Sequence, residues 1–240
     1  MEVRFLDAGD CAVTVEFGDT IERALSERVL RLGARVREQL PPGVIEAVPT
    51  FRSLMVHYDP LATDRASVVA HLETLLDDGA AVQASATLWR IPACYEGDYA
   101  PDLDDVAART GLTPRDVVRL HADTLFHVYM IGFVPGYPYM GDLPAQLVLP
   151  RRADPRVRVP PGSIAIASTM TAIYPLESPG GWHLIGTTPV RLFDAASASP
   201  SLLRPGDKVR FEPVPAAQFA EIGAAVSAGA YVVPHEEFTS

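Results

Sequence analysis

The sequence predicts an α+β protein of two domains, and the arrangement of its elements supports that prediction. Strands and helices alternate up to about residue 93, whereas short strands and Pro/Gly turns dominate the last part of the chain. The predicted boundary lies between residues 85 and 86. Residues 1–85 are expected to form a ferredoxin-like (split βαβ) domain, and residues 86–240 a β-barrel domain with short capping helices.

In the first domain, residues 11–18 (CAVTVEFG) predict a strand, and EVRFL near the N-terminus adds a further one. Apolar residues three and four positions apart predict two helices. They are Ile21, Leu25, Val29, Leu32, Val36 and Leu40 in the first helix, and Val68, Val69, Leu72, Leu75 and Leu76 in the second. Strands are predicted at 44–49 and 52–60 between the helices and at 86–95 after them. This β-α-β-β-α-β order is the split βαβ arrangement, with the strand at 86–95 as its last member.

The second domain is predicted to begin with two short helices, at residues 101–111 and 113–124. Turns such as PPG, SPGGW and RPGD then separate short strands. The predicted strands are 126–131, 163–167, 183–185, 190–192 and 208–211, and a helix at 215–229 and an edge strand at 231–234 close the sequence.

Composition excludes several classes of function. The chain has 240 residues and a formal net charge of −10, so it lacks the basic surface that nucleic acids and anionic membranes require. No apolar run approaches the roughly 20 residues that span a bilayer, and the N-terminus has no secretion signal. The two cysteines, Cys11 and Cys94, indicate neither a disulfide framework nor a metal cluster. The sequence therefore predicts a cytoplasmic protein.

Lys208 is the single lysine among 20 basic residues. Its segment, RPGDKVRF, is typical of a turn that leads into a strand, so a surface lysine is expected. The chain accordingly has no GxxxxGK[ST] phosphate loop and no lysine-centred biotin attachment motif. If the protein uses ATP, this chain is expected not to hold it in a Walker-type loop.

The sequence has no complete catalytic motif, since neither GxSxG nor HExxH occurs. His57 and His127 lie within predicted strands, where a hydrogen-bonded core histidine is expected, and His121 and His235 are expected at the surface. The acidic run at 102–108 (DLDDVAA) is expected to be the solvated start of a helix, where carboxylates suit the helix dipole.

Three loop segments carry the strongest functional signal: GFVPGYPYMGDLP, RRADPRVRVPPGS and TMTAIYPLESPGGWHLIGTTP. Proline fixes φ and glycine permits positive φ, so these loops hold a defined shape. They display aromatic rings, and their arginines suit a carboxylate or phosphate. The aromatic residues either line a pocket or partner surface, or plug the end of the barrel.

The segments VYMIGFVPGYPYMGDL, LPRRADPRVRVPPGSIAIA, IYPLESPGGW and LIGTTP closely resemble the KipI family. Its members are also called the B component of 5-oxoprolinase or allophanate hydrolase subunit 1, and similar domains form the carboxyltransferase part of urea carboxylases. The resemblance covers nearly the whole chain and implies a cyclophilin-like barrel.

The resemblance also implies partners and an activity. The partners are a KipA-like protein (the C component of 5-oxoprolinase) and possibly a third subunit. The complex is expected to open 5-oxoproline to glutamate, or to cleave a related cyclic or urea-like amide, with ATP; the chain alone is expected to be inactive, and no metal is indicated. Because one branch of the family inhibits a histidine kinase, a regulatory protein-binding module is the alternative.

The loops and the resemblance together predict the residues that bind substrate or partner: His127, Phe133, Gly136, Tyr137, Pro138, Tyr139, Arg156, Arg158, Met170, Tyr174, Ser178, Trp182 and Thr187. No catalytic residue is predicted. The chain departs from the family pattern at three positions. Met170 and Ala172 stand where relatives usually have Gln and Gly in AGGQTGIYP, and Thr187 stands where they have Arg in IGRTP. Because these changes remove polar groups that could orient a small amide, a poor 5-oxoprolinase, or one acting on a less polar amide, is expected.

Overall fold

In a computed structural model, which describes residues 3–77 and 86–238, the chain divides into two units, Met1–Ser85 and Ala86–Ser240. The predicted boundary adjoins residues 78–85, which lie outside the described part. No helix within the described ranges has the length and apolar character needed to cross a membrane.

The first unit is a four-stranded antiparallel sheet with two helices. Its elements are β1 (Arg4–Asp7), β2 (Ala12–Glu16), α1 (Arg23–Glu38), β3 (Val44–Pro49), β4 (Ser53–Tyr58) and α2 (Arg65–Asp77), and the strand order is β1-β2-β4-β3. The apolar stripe predicted for the first helix is confirmed over Leu25, Val29, Leu32 and Val36, which are buried in the core. The alternation predicted for β4 is confirmed as well, since Leu54, Val56 and Tyr58 are buried there.

The expectation that the strand at 86–95 completes this sheet is wrong. The N-terminal strand β1 forms a hairpin with β2 and occupies that edge instead. The later strand, β5 (Ala86–Ala93), belongs to the second unit, where it pairs in parallel with β13 (Lys208–Pro213). Asp207 stabilises this pairing, because its buried carboxylate accepts hydrogen bonds from Trp89 Nε1 and the backbone N–H of Thr87, both at 3.0 Å.

The second unit contains an eight-stranded sheet. Besides β5 and β13, its strands are β6 (Phe126–Ile131), β7 (Pro138–Gly141), β9 (Ser163–Ala167), β10 (Met170–Ile173), β12 (His183–Thr187) and β14 (His235–Phe238), in the order β12-β9-β10-β7-β6-β13-β5-β14. A separate ribbon pairs β8 (Arg156–Val159) with β11 (Ser178–Gly180). Reciprocal backbone hydrogen bonds between Cys94 and Thr187, at 2.8 and 2.9 Å, join the ends of β5 and β12. Since these strands lie far apart in the sheet order, the bonds close the sheet into a barrel.

Three helices pack on this unit. They are α3 (Leu103–Thr110), α4 (Pro114–Asp123) and α5 (Ala216–Ser227). The Thr113 hydroxyl caps α4 by accepting the Asp116 N–H at 3.1 Å, and Gly111 ends α3 with a left-handed φ of 70°. Val106 and Val117 from these helices join a core that lies along one face of the barrel strands.

Two predicted strands are absent from the described residues, and four observed strands were missed. Residues 190–192 and 231–234 form no strand, and the last strand lies instead at β14. The missed strands β7, β8, β10 and β11 are short and lie in segments rich in proline and glycine, where alternation cannot be recognised.

Candidate functional site

The hairpin loop between β6 and β7 presents the aromatic residues of the predicted site. Gly132 N–H donates to the Tyr137 carbonyl and Tyr137 N–H donates to the Val134 carbonyl, both at 3.1 Å. Gly136 adopts a φ of 76°, and a Cβ there would lie 2.7 Å from Phe193 Cβ, so the loop requires glycine at this position. The loop therefore has one defined shape, as the sequence analysis expected.

Four rings pack together at this end of the barrel, and we call Tyr137, Tyr139, Tyr174 and Trp182 the aromatic cluster. The ring of Tyr137 lies 5.0 Å from Tyr139, 5.1 Å from Tyr174 and 6.4 Å from Trp182. Tyr137, Tyr174 and Trp182 are buried, Tyr139 is partly exposed, and Phe133 packs edge-on against Tyr137 with 60% of its surface exposed. The cluster thus combines a plug of buried rings with an accessible rim.

Burial also sets the chemistry of the tyrosines. Removal from water raises the pKa of Tyr137, Tyr139 and Tyr174, and Tyr137 donates a hydrogen bond to the Tyr174 hydroxyl. The positive charge of Arg151 acts in the opposite direction on all three, and its guanidinium lies 5.9 Å from the centre of the Trp182 ring. The hydroxyls therefore stay protonated and can donate hydrogen bonds.

The ribbon of β8 and β11 brings arginines to the cluster. A Cβ at Gly180 would lie 2.2 Å from the Tyr174 hydroxyl oxygen, so this glycine lets β11 approach the ring. Buried Asp102 accepts from Arg156 Nη2 at 2.6 Å, from Arg152 Nη1 at 3.1 Å and from the Leu184 N–H at 2.7 Å. The arginine side chains are thereby held in one orientation.

The charge of Asp102 is maintained by these contacts. Burial alone raises the pKa of a carboxyl group, but the hydrogen bonds from Arg156 and Leu184 and the charges of Arg156 and Arg152 outweigh burial and lower the pKa of Asp102. Within the described residues, Nη1 of Arg156 is buried without a hydrogen-bond partner. It is a fixed donor whose hydrogen-bonding capacity is not used by those residues.

Four other predicted site residues have the following surroundings. Arg158 is exposed and pairs with Glu177 at 2.8 Å, and the Thr187 hydroxyl donates to the Tyr99 carbonyl at 2.8 Å. Ser178 is buried in β11, where its hydroxyl is 3.4 Å from the Leu176 carbonyl, and Pro138 is buried at the start of β7.

Strand register places two of the residues that differ from the KipI family pattern, Met170 and Ala172, beside the aromatic cluster. Ala172 is the direct partner of Tyr139 across β10 and β7, and Met170 lies two residues from Ala172 on the same face. Both are buried. Of the three departures, Met170 and Ala172 therefore share a sheet face with the aromatic cluster, whereas Thr187 lies at the far end of β12.

The surface position expected for His121 is wrong. This histidine is fully buried on α4, where Tyr95 donates to its Nδ1 and its Nε2 donates to Thr171, both at 2.9 Å; Thr171 in turn donates to the Ala165 carbonyl at 3.1 Å. Burial lowers the pKa of His121 to about 3, so the ring is neutral. His235 is exposed, as expected.

Two other expectations need correction. Asp102 is buried rather than part of a solvated face, although Asp104 and Asp105 in the same acidic run are exposed. Lys208 is not a surface lysine: it is buried, with Nζ 2.8 Å from Nδ1 of His127, which is itself buried in β6 as the sequence analysis favoured. The presence of one lysine in the whole chain was the signal that could have drawn attention to this pair.

The closed barrel with its aromatic and arginine site resembles a carboxyltransferase domain. Residues 3–203 match the family model described as carboxyltransferase domain, subdomain C and D. The chain is 41% identical over 208 residues to the B component of 5-oxoprolinase from Escherichia coli O157:H7, and the match covers 85% of this chain and 93% of that protein. The chain belongs to this carboxyltransferase family and, within it, to the family of 5-oxoprolinase B components.

Solved structures support the fold. The crystal structure of TTHA0988 is 37% identical with a TM-score of 0.76, and the match covers 89% of this chain and 40% of that longer chain. The urea amidolyase of K. lactis is 22% identical with a TM-score of 0.82, and the match covers 98% of this chain and 16% of that chain. This second likeness concerns the fold alone.

Proposed function

We propose that this chain is the B component of a heteromeric, ATP-dependent amidohydrolase that opens 5-oxoproline to glutamate or cleaves a related cyclic or urea-like amide. The 41% identity to a 5-oxoprolinase B component over 93% of that protein carries the proposal. In this proposal the first unit is a ferredoxin-like variant and the barrel is cyclophilin-like. The names of the curated relatives favour the enzyme subunit over a histidine-kinase inhibitor.

The site geometry supports an acidic amide as the substrate. Among the described residues Arg156 has a buried donor without a partner, and its charge acts on the protonated hydroxyl of Tyr174, which packs in the same cluster as the accessible Tyr139. Arginine suits the carboxylate of such a substrate, and an aromatic rim suits its flat ring. The same rim suits contact with a partner protein.

The residues of this chain do not fit a lysine phosphate loop for ATP. Its one lysine, Lys208, lies inside β13 against His127 rather than in a glycine-rich loop before a helix. We therefore assign ATP binding to another part of the complex. A KipA-like protein, the C component of 5-oxoprolinase, is the proposed partner, and the chain alone is expected to be inactive.

Co-expression with the gene of the KipA-like partner tests the proposal. We expect co-purification and 5-oxoproline-dependent ATP hydrolysis by the complex, and no turnover by this chain alone. Arg156→Gln is expected to raise the KM for 5-oxoproline, with surface Arg158→Gln as the matched control. Full turnover by the isolated chain, or failure to bind the partner in pull-down, would contradict the proposal.

A further inference from the structure

The single lysine of the chain lies against a histidine inside the second unit. Lys208 and His127 are 6% and 1% exposed, and Nζ lies 2.8 Å from Nδ1. The ring of Phe238 lies over the amine, with its centre 5.6 Å from Nζ. Two like charges at this distance in a buried setting carry a large cost, whereas an amine and an imidazole that share one proton form a hydrogen bond.

Strand register places this pair on the same sheet face as the aromatic cluster. Lys208 and His127 are direct partners across β13 and β6, and His127 and Gly141 are direct partners across β6 and β7. Tyr139 lies two residues from Gly141 on β7, so its side chain leaves the same face. Neighbouring strands are about 5 Å apart and two strand residues span about 7 Å, so His127 lies within about 10 Å of Tyr139 along the sheet.

Tyr129 links the pair to the edge of the barrel. Its ring covers Gly141, where a Cβ would approach the ring to 2.3 Å, and lies 4.6 Å from the His127 ring. Its hydroxyl donates to Asp142 at 3.3 Å, and Asp142 is exposed. A row of polar side chains thus runs from the buried amine to solvent.

We propose that Lys208 and His127 are a proton-transfer pair that serves the site formed by the aromatic cluster and Arg156. The inference rests on the proposed function. When a lactam opens, the C–N bond breaks, the oxygen of a water bonds to the acyl carbon, and the nitrogen must gain a proton. Because the pair lies about 10 Å from the cluster along the sheet, Lys208 gives its proton to that nitrogen through intervening hydrogen-bonded groups and regains one from the added water by the same route, while His127 holds the amine in position. The net change is one water across the C–N bond, and the ATP that the complex uses takes up a second water as it becomes ADP and phosphate.

The surroundings of the pair define what a pH titration reports. The titratable and charged groups that the structure places nearby are Tyr129, Asp142, Asp207 and Arg210, together with Glu236 on β14 and its partner Arg90. Leu88, the register partner of Lys208 on β5, is apolar. Because the chain has one lysine, labelling with 15N-lysine gives one Nζ resonance from the full chain. We expect this resonance and the His127 ring signals to titrate together, and the His127→Leu substitution to move the midpoint of Lys208 by at least about one pH unit.

Kinetics of the complex separate proton transfer from a structural role. Lys208→Met and Lys208→Arg are both expected to lower kcat by about 100-fold or more while KM stays within about threefold, because a guanidinium does not release its proton. If Lys208 were only a structural cation, the Lys208→Arg variant would keep a near-normal kcat. The control is Arg210→Gln, two residues further along β13 on the same face.

Each outcome decides the inference. A near-normal kcat for Lys208→Arg would overturn the proposal that Lys208 and His127 transfer protons. A Lys208 resonance that titrates near pH 10.4, independently of His127, would overturn it as well. If the unmodified complex turns over neither 5-oxoproline nor a related cyclic or urea-like amide, the proposed function has failed, and the shared titration then tests the pair by itself.

Discussion

Arg156 Nη2 donates to the buried carboxylate of Asp102 at 2.6 Å, which joins β8 to the segment that precedes α3. This contact fixes the arginine whose other amino group is the buried donor of the proposed site. In the proposed function one side chain therefore has both a structural and a binding role, and the two roles can be measured separately.

Loss of Arg156 is expected to weaken the fold as well as substrate binding. Arg156→Gln removes a charged hydrogen bond to Asp102, worth about 1.5–3 kcal/mol, while Arg152 and the Leu184 N–H remain. Arg158→Gln, which breaks an exposed ion pair, is expected to cost less than about 1 kcal/mol in urea melts. Because the pKa of Asp102 is lowered in the folded state, its contribution is present above about pH 4 and is lost as the pH falls through the folded pKa. A difference between the variants that persists in strong acid would contradict this account.

The aromatic cluster is expected to divide into core and rim. Trp182 is buried, so Trp182→Ala should lower the free energy of unfolding by about 3–5 kcal/mol. Tyr139 is partly exposed, so Tyr139→Ala should cost no more than about 2 kcal/mol and act mainly on turnover or partner binding. Denaturant melts measure the loss of stability in both variants, and pull-down and ATP turnover measure the loss of partner binding and activity. Equal losses of stability in the two variants would show that Tyr139, like Trp182, is a core residue rather than part of an accessible rim.

Met170→Gln is expected to improve the use of 5-oxoproline. Met170 lies on the same face as Tyr139, and glutamine supplies a donor and an acceptor for an amide. One neutral hydrogen bond contributes about 0.5–1.5 kcal/mol, so kcat/KM should rise by up to about tenfold.

Thr187→Arg is the control for that substitution, because Thr187 is bonded to the Tyr99 carbonyl at the far end of β12. It is expected to give no gain. A gain from Thr187→Arg alone would place that position in the substrate site, and robust turnover by the unmodified complex would remove the need for glutamine at position 170.

His121 makes the stability of the barrel depend on pH. Burial lowers its folded pKa to about 3, against about 6.5 in the unfolded chain, so only the unfolded state binds a proton between these values. Stability is therefore complete above about pH 6.5 and falls by up to about 1.4 kcal/mol per pH unit below it. His121→Phe loses the hydrogen bonds to Tyr95 and Thr171 and is expected to be less stable at about pH 8, yet with a flatter slope between about pH 6.5 and 4. An unchanged slope would contradict the assignment.

Local pattern predicts part of this molecule well. The helical stripe that includes Val29 and Val36, and the alternation in β4, follow from burial of one side of an element and can be recognised without knowing the partner. The Pro/Gly loops that hold Tyr137 and Trp182 also follow from residue type.

Long-range pairing could not be predicted in the same way. Nothing local shows that β1 replaces the strand at 86–93 in the first sheet, or that Asp102 meets Arg156 across 54 positions. Lys208 is buried because other elements cover the face of the sheet opposite the core, and the local sequence does not show this. The four-residue pattern at 208–211 is equally typical of an edge strand, whose side chains are exposed. Sequence analysis therefore recognised the rings of the site together with Arg156 and His127, but it missed the burial of Asp102 and Lys208.

The position of β5 has a consequence for folding. Its pairing partners on both sides, β13 and β14, follow it by more than a hundred residues, and the Thr87–Asp207 hydrogen bond spans 120 positions. As the chain leaves the ribosome, β5 therefore emerges well before any strand that can cover its edges. Contacts so distant in sequence slow folding, and an uncovered strand edge invites association with other chains. Synthesis of the last part of the chain is the step that covers this exposed edge, because β13 and β14 pair with β5 only then.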